Sequence, residues 1–337
     1  MKAIAITRNL PITDSASLVD TEIPAPVATG RDLVVRVGAI SVNPVDTKVR
    51  RGGQIAGGRR VLGWDAAGVV ESVGPDATLF KPGDEVYYAG SITRPGANSE
   101  LHAVDERIVG RKPARLSMAG AAALPLTAIT AWEALFDRLL IDRTGGAHRG
   151  RALLVIGGAG GVGSLAIQLA KLAGLRVVAT ASRPESEKWV RDLGADFVIN
   201  HREPLSSQVA AQAIGPVDYI ANFADTDGYW AAMAGLIRPQ GKIVCIVENT
   251  DPLDLGLLKS KSVAFVWESM FTRPMFGTDD IAEQHKLLDE VAALVDSGRL
   301  RTTLQTNLSP INAANLRTAH AQLESGRTIG KIVLSGW

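Results

Sequence analysis

Hydrophobic and polar positions change rhythm twice along the chain. The N-terminal third carries short runs rich in β-branched residues, such as Leu33-Val34-Val35-Arg36-Val37 and Ala67-Gly68-Val69-Val70-Glu71-Ser72-Val73. Turn sequences punctuate them: Pro24-Ala25-Pro26, Gly74-Pro75-Asp76 and Lys81-Pro82-Gly83-Asp84. Short strands broken by Gly/Pro turns at close spacing predict a compact, barrel-like β-rich domain. No long helical period appears there. Near Ala119 the texture becomes Ala/Leu-rich, with room for helices on either side of Pro125.

From Arg151 onward, strand and helix patterns alternate. Strands are predicted at Ala152–Ile156, Arg176–Thr180, Phe197–Asn200, Val217–Ala221 and Lys242–Val247, and helices at Ser164–Ala173 and Glu185–Leu193. Such alternation argues for a doubly wound parallel sheet, hence an α/β protein with a β-rich domain beside it. Past residue 268 the pattern is mixed, with helices expected near 279–297 and 312–325 and a closing strand at Lys331–Leu334. The aromatic stretch Trp267–Pro274 fits a substrate cleft, a dimer contact or a core strand running into a loop.

Composition narrows the function classes. Lys and Arg number 36 against 35 Asp and Glu, a net charge of +1 in 337 residues. No basic excess favours nucleic acid. Cys245 is the single cysteine, which excludes an internal disulfide framework and any Cys-rich zinc lobe. The opening MKAIAITRNL lacks the apolar stretch of a signal peptide. The uncharged run Met118–Trp132 is interrupted by Pro125 and is short for a membrane span. A soluble, cytoplasmic protein is expected.

The strongest chemical signal is Gly157-Gly158-Ala159-Gly160-Gly161-Val162-Gly163, which follows a predicted strand and opens a predicted helix. Glycines there permit a tight turn and a close approach of backbone N–H groups to a pyrophosphate, and the helix N-terminus favours negative charge. In that context the turn predicts dinucleotide binding. An NAD enzyme usually carries Asp or Glu at the end of the next strand, to bond the ribose hydroxyls. Here the strand runs into Ala181-Ser182-Arg183. Ser182 can bond a 2′-phosphate and Arg183 can balance its charge, so NADPH is the expected cofactor.

These segments, with Ser41-Val42-Asn43-Pro44-Val45-Asp46, Leu62–Val70, Lys81–Val86 and Leu124–Trp132, resemble the medium-chain dehydrogenase/reductase superfamily, and within it the zinc-independent quinone oxidoreductase branch. The resemblance spans nearly the whole chain. It implies a GroES-like catalytic domain over residues 1–125, a Rossmann NADP(H)-binding domain over 126–267 and a return to the catalytic domain over 268–337, with the active site in the cleft between domains. It also makes a homodimer the expected assembly, built through a sheet edge.

The departures from the zinc alcohol dehydrogenases carry mechanistic weight. Those relatives place a cysteine where Asn43 stands, their Gly-His-Glu motif appears here as Gly63-Trp64-Asp65, and their next cysteine falls in the Ala123–Pro125 region. Catalytic zinc needs about three N, S or O protein ligands. The histidines, His102, His148, His201, His285 and His320, are scattered without metal-ligand spacing. Both zincs are therefore expected to be absent. Without a Lewis acid, a quinone or an α,β-unsaturated carbonyl, already electrophilic, is the expected substrate. Two alternatives stay open: alcohol/aldehyde oxidoreduction, and a cofactor-binding protein with a sensing or structural role.

Further roles follow from the resemblance. Asn43 is either a substrate- or nicotinamide-facing amide or a turn residue fixed by Pro44. Asp46 would orient Asn43 or Lys48, or make a buried polar contact. Lys48 replaces a tyrosine of several relatives, as a proton donor, an oxyanion partner or a solvated surface charge. Thr127 would contact the nicotinamide carboxamide or ribose, or cap a helix. Asn222 and Phe223 would lie along the cofactor, Ile246 to Glu248 would offer backbone groups to the carboxamide, and His201 would lie against the adenosine ribose or on the surface.

Overall fold

The computed structural model describes all 337 residues, which divide into two compact units: Met1–Ile129 with Phe271–Trp337, and Thr130–Met270. The crossings thus fall a few residues beyond the expected 125/126 and 267/268. The shift has a simple cause at the first crossing. Pro125 opens a helix as its first residue, where the missing N–H costs nothing, so the chain changes unit inside that helix and not at the proline.

The first unit begins with strands β1 (Lys2–Ile6), β2 (Val19–Glu22) and β3 (Asp32–Ser41). Helix α1 (Pro44–Gly52) follows at once, a helix the apolar pattern does not announce. Its sequence is polar, and its signals are local: Asn43 at the N-cap, Pro44 at the first position, Asp46 in the first turn, and Arg50 and Arg51 in the last. Then come β4 (Arg60–Val61), β5 (Ala66–Val73), β6 (Glu85–Tyr88), β7 (Leu101–Asp105) and β8 (Val109–Arg111), with α2 (Met118–Ala122) and α3 (Pro125–Trp132) on either side of Leu124. The helical stretch 118–138 is apolar and long enough to cross a membrane, yet 94% of its most apolar window is buried inside the protein, as in a core helix.

The second unit is built on β9 (Ala152–Ile156), α4 (Gly161–Leu172), β10 (Arg176–Thr180), α5 (Pro184–Asp192), β11 (Phe197–Ile199), α6 (Leu205–Ala211), β12 (Val217–Asn222), α7 (Thr226–Leu236), β13 (Ile237–Cys245), α8 (Gly256–Lys259) and β14 (Ala264–Trp267). All six strands are parallel, in the order β11-β10-β9-β12-β13-β14. This is the doubly wound arrangement expected from the sequence, with the strand order reversing between β9 and β12. β9 is buried at every position, as a central parallel strand should be. β14 pairs only with β13 and leaves one edge open, with Trp267 43% exposed.

The chain then returns to the first unit through α9 (Thr272–Phe276), α10 (Glu283–Asp296), β15 (Leu304–Leu308), α11 (Ala313–Glu324) and β16 (Lys331–Ser335). β16 lies between β15 and β3, in a sheet ordered β15-β16-β3-β5-β6-β8 with β7 also paired to β3. A tight spot holds that sheet together. A Cβ on Gly68 would lie 2.2 Å from the carbonyl oxygen of Arg36, so only glycine lets β5 approach β3 there.

Two buried imidazoles mark this unit. His102 stacks on Tyr88 and bonds the Tyr88 hydroxyl at 3.1 Å and the Pro95 carbonyl at 2.9 Å. His320, on α11, is fully buried with no hydrogen-bond partner on either ring nitrogen. Burial, and then the charge of Arg50, push His320 down to about 3. The folded protein therefore holds His320 neutral where an unfolded chain protonates it. Its stability contribution is intact above the unfolded value of 6.5 and is lost as pH falls from there, at roughly 1.4 kcal/mol per pH unit. The variant His320→Leu should keep the neutral-pH melting temperature and lose less of it between pH 6 and 4, as read by thermal melts across that range.

Candidate functional site

Each unit contributes a separate group of residues, best described from its backbone outward. In the second unit, β9 runs into the glycine turn. Gly157 adopts a φ of +83°, and its N–H is held by the Thr180 hydroxyl at 2.9 Å. A Cβ on Gly163 would fall 2.3 Å from the Gly157 carbonyl oxygen, and one on Gly158 would sit 3.0 Å from the Ala179 Cβ. These glycines are required by packing of the turn against α4 and β10. Gly160 differs: a Cβ there would meet nothing closer than 3.5 Å. As the N-cap of α4 it provides no side-chain cap, so the N–H groups of Gly161, Val162 and Gly163 at the start of a twelve-residue helix are left for an outside acceptor. The loop Gly158-Ala159-Gly160 and this helix end fit a pyrophosphate.

The neighbouring strand ends complete this half. Ala181 N–H bonds the Ile199 carbonyl at 3.0 Å, which carries the β10–β11 pairing to the edge where Ser182 and His201 follow. Arg183 is mostly buried, and its Nε lies 2.9 Å from Glu185 Oε1. The exposed His201 is held below the usual imidazole range by desolvation and then by the charges of Arg202 and Arg183. Thus Arg183 and His201 belong to one electropositive corner. Arg202, not anticipated, belongs to it too. Phe223 borders the glycine turn through its backbone, donating to Ile156 O at 3.0 Å.

The Asn222 side chain is used locally. It is fully buried, its Oδ1 accepts from Ala224 N at 3.1 Å, and its Nδ2 faces Asp225 O, Thr226 Oγ1 and Cys245 Sγ. Its amide builds the turn after β12, which leaves the backbone of this segment to lie along a cofactor. Ile246 N–H reaches back to Asn222 O at 3.3 Å, and Glu248 is exposed beyond it.

In the first unit the expected residues converge on a buried polar network. Asn43 is 1% exposed. Its backbone N–H donates to Asp46 Oδ2 at 2.6 Å, and its Nδ2 donates to Asp65 Oδ2 at 2.8 Å. Lys331, from β16, donates to the Val42 carbonyl at 2.8 Å, to Asn43 Oδ1 and to Asp65 Oδ2 at 3.0 Å. The other Asp65 oxygen accepts from Leu126 N at 2.7 Å, at the first turn of α3. A carboxylate at a helix N-terminus is favoured by the helix dipole. Burial pushes the Asp65 carboxyl up, and the Lys331 ammonium and the Asn43 amide pull it back. Burial raises Asp46 to about 7 against the Asn43 N–H bond and Lys331.

This geometry bears on the alternatives left open for three residues. Asn43 is no loose turn amide: it stands at the N-cap of α1, and its Oδ1 and Nδ2 are bonded to Lys331 and Asp65. Asp46 is buried and accepts from the backbone N–H of Asn43, while Lys48 lies exposed on α1. Thr127 is no helix cap: it sits in the first turn of α3 and donates its hydroxyl to the Leu124 carbonyl at 3.0 Å, leaving its oxygen able to accept. Lys331 and Asp65 join the network without a sequence motif that points to them. A lysine heading the apolar strand Lys331-Ile332-Val333-Leu334 was the available signal.

The same residues do not fit a zinc ion. Trp64 is 1% exposed, donates its indole N–H to Ser91 O at 3.1 Å and meets Phe271 edge-on at 6.1 Å. The third position lies among Ala123, Leu124 and Pro125, and no three His, Cys, Asp or Glu side chains cluster with ligand geometry.

Comparison with known proteins places this geometry in context. Residues 29–123 match the family model of the alcohol dehydrogenase GroES-like domain, and residues 193–334 that of the zinc-binding dehydrogenases. A zinc-type alcohol dehydrogenase-like protein of Staphylococcus epidermidis is 41% identical over 99% of both chains. The human mitochondrial NAD(P)H oxidoreductase RTN4IP1 is 31% identical over 90% of this chain and 81% of its own. Among solved structures, a Rhizobium etli protein provisionally described as a zinc-dependent alcohol dehydrogenase superposes with a TM-score of 0.96 at 54% identity, covering 100% of this chain and 98% of that one. The Escherichia coli quinone oxidoreductase complexed with NADPH superposes with a TM-score of 0.84 at 25% identity over 99% of this chain and 100% of that one.

The glycine turn yields a clean test. Gly160→Ala should fold normally, because its methyl meets only ordinary contacts, yet bind a dinucleotide about tenfold or more weakly if the pyrophosphate approaches that backbone. Thermal melting and cofactor fluorescence titration check the two halves. Gly163→Ala should instead lower the melting temperature.

Proposed function

Because the chain belongs to the medium-chain dehydrogenase/reductase superfamily, we propose that it is an NADPH-dependent oxidoreductase that transfers hydride to a quinone or an α,β-unsaturated carbonyl without catalytic zinc. The observation that carries this reading is the content of the ligand positions. Where zinc relatives have a cysteine, Asn43 is tied to Lys331 and Asp65; where they have a histidine, the Trp64 indole is packed and bonded. A site of this kind lacks the Lewis acid that alcohol oxidation uses.

The dinucleotide, when bound, supplies the hydride. The residues of the second unit account for holding it. The N–H groups of Gly161, Val162 and Gly163 at the start of α4 would donate to the oxygens of a pyrophosphate, and Gly160 lets the backbone come close. Ser182 offers a hydroxyl and Arg183 a guanidinium to a ribose 2′-phosphate. No carboxylate at the tip of β10 competes for the ribose hydroxyls, although Glu185 pairs with Arg183. Binding of a 2′-phosphate would exchange that carboxylate for the phosphate. Arg202 adds to the positive field, which disfavours a charge on His201. Thr127, with its hydroxyl hydrogen committed to Leu124 O, retains an oxygen that can accept from a carboxamide N–H.

For assembly, we favour a homodimer through the open edge of β14, supported by the unpaired strand and the exposed Trp267.

The test is oxidation of NADPH and, separately, NADH by chelator-treated protein with quinones, enones and aldehydes. Turnover of quinones or enones with NADPH preferred is expected, and Arg183→Ala should cut the NADPH-over-NADH preference about tenfold or more. Turnover of aldehydes alone, abolished by chelation, would reverse the assignment.

A further inference from the structure

The Asn43 amide has two ends of nearly identical shape, so sterics do not choose between its two orientations; hydrogen-bonding partners do. Two partners face it here, and each has only one possible role. The Lys331 ammonium carries donors alone and meets Oδ1. The Asp65 carboxylate, when ionised, carries acceptors alone and meets Nδ2. The two charges also bond each other, at 3.0 Å, with both side chains almost completely buried. Reversing the amide would oppose donor to donor and acceptor to acceptor.

All three ammonium hydrogens have an acceptor: the Val42 carbonyl, Asn43 Oδ1 and Asp65 Oδ2. None is left for a substrate. Asp65 in turn uses its second oxygen on Leu126 N, the residue before Thr127. The network thus joins the N-terminus of α1, the N-terminus of α3 and the strand β16, three elements distant in sequence.

We infer that Lys331 is a positioning residue of this site: its ammonium fixes the orientation of the Asn43 amide and holds Asp65 against the first turn of α3, which carries Thr127. It is not a proton donor and does not touch the substrate. Its effect on turnover rests on the reductase activity proposed above, whereas its effect on Asn43 does not.

The test compares Lys331→Met with the charge-balanced pair Asp65→Asn/Lys331→Met. The double variant removes both members of the ion pair, leaves Asp46 on the Asn43 N–H as the one buried carboxyl of the network, and its new amide can still accept from Leu126 N. It should therefore recover the melting temperature that the single variant loses. With the clamp gone, kcat with a quinone or enone should stay about tenfold or more below wild type in both variants, with NADPH affinity within about twofold. Recovery of kcat along with the melting temperature in the double variant would overturn the proposal, reducing Lys331 to a structural counter-ion.

A second readout is independent of turnover. The side-chain amide protons of Asn43, assigned by their loss in Asn43→Ser, should exchange with solvent about tenfold or more faster in the double variant than in wild type. Unchanged exchange and unchanged shifts would sink the clamp even for a protein that reduces no quinone. A protein inactive on every substrate but showing the faster exchange would retain the clamp and lose only the reductase reading.

Discussion

An ammonium group buried beside a carboxylate is expensive to assemble and more expensive to break. Taking both charges out of water costs several kcal/mol, and removing one partner from such a pair typically destabilises by about 3–5 kcal/mol. In this protein the pair is Lys331 and Asp65, 266 residues apart in sequence. The cost is offset because every donor of the ammonium is used, and because the carboxylate accepts from the Asn43 amide and from the start of α3. The first unit's site exists only when β16 is in place between β15 and β3. The return of the chain to that unit is therefore a requirement of the site and not an accident of connectivity.

The second unit solves a different problem with different means. It has to present backbone N–H groups to an anion, and side chains would obstruct them. The glycine turn clears the approach, while the close packing of Gly158 and Gly163 makes the turn rigid. In the reading proposed above, selectivity falls to the adjacent strand ends, where Arg183 and Arg202 place positive charge beside His201. A preformed backbone cradle with a charged corner asks little reorganisation of the protein on binding, which conserves affinity.

Much of this was legible in the sequence, and for identifiable reasons. The parallel strands read as short apolar runs because they are buried on both faces, and the glycine turn declared itself through its place between β9 and α4. Helix α1 escaped because its stability comes from caps and from contacts with α11, such as the Arg50–Glu324 ion pair, and not from an apolar stripe. Asn222 looked like a cofactor contact because it ends a strand at the right edge of the sheet. Only the structure shows its amide spent on the local turn. Lys331 showed only as a lysine heading an apolar strand, and its role was hidden for a deeper reason. A buried charge announces itself by its partners, and those lie in segments that sequence order keeps apart.

The strand order of the first unit has a consequence for biosynthesis. β3 emerges early from the ribosome, but its neighbour β16 is translated only after the entire second unit. For that interval the β3 edge that will receive β16 is unpaired, and Asp65 and Asn43 lack their counter-charge. The second unit, contiguous in sequence with all six strands in hand, has no such wait. Maturation of this chain is thus ordered by topology: the nucleotide-binding half can close while the other is being finished, and the nascent N-terminal sheet is the segment most in need of protection from other chains.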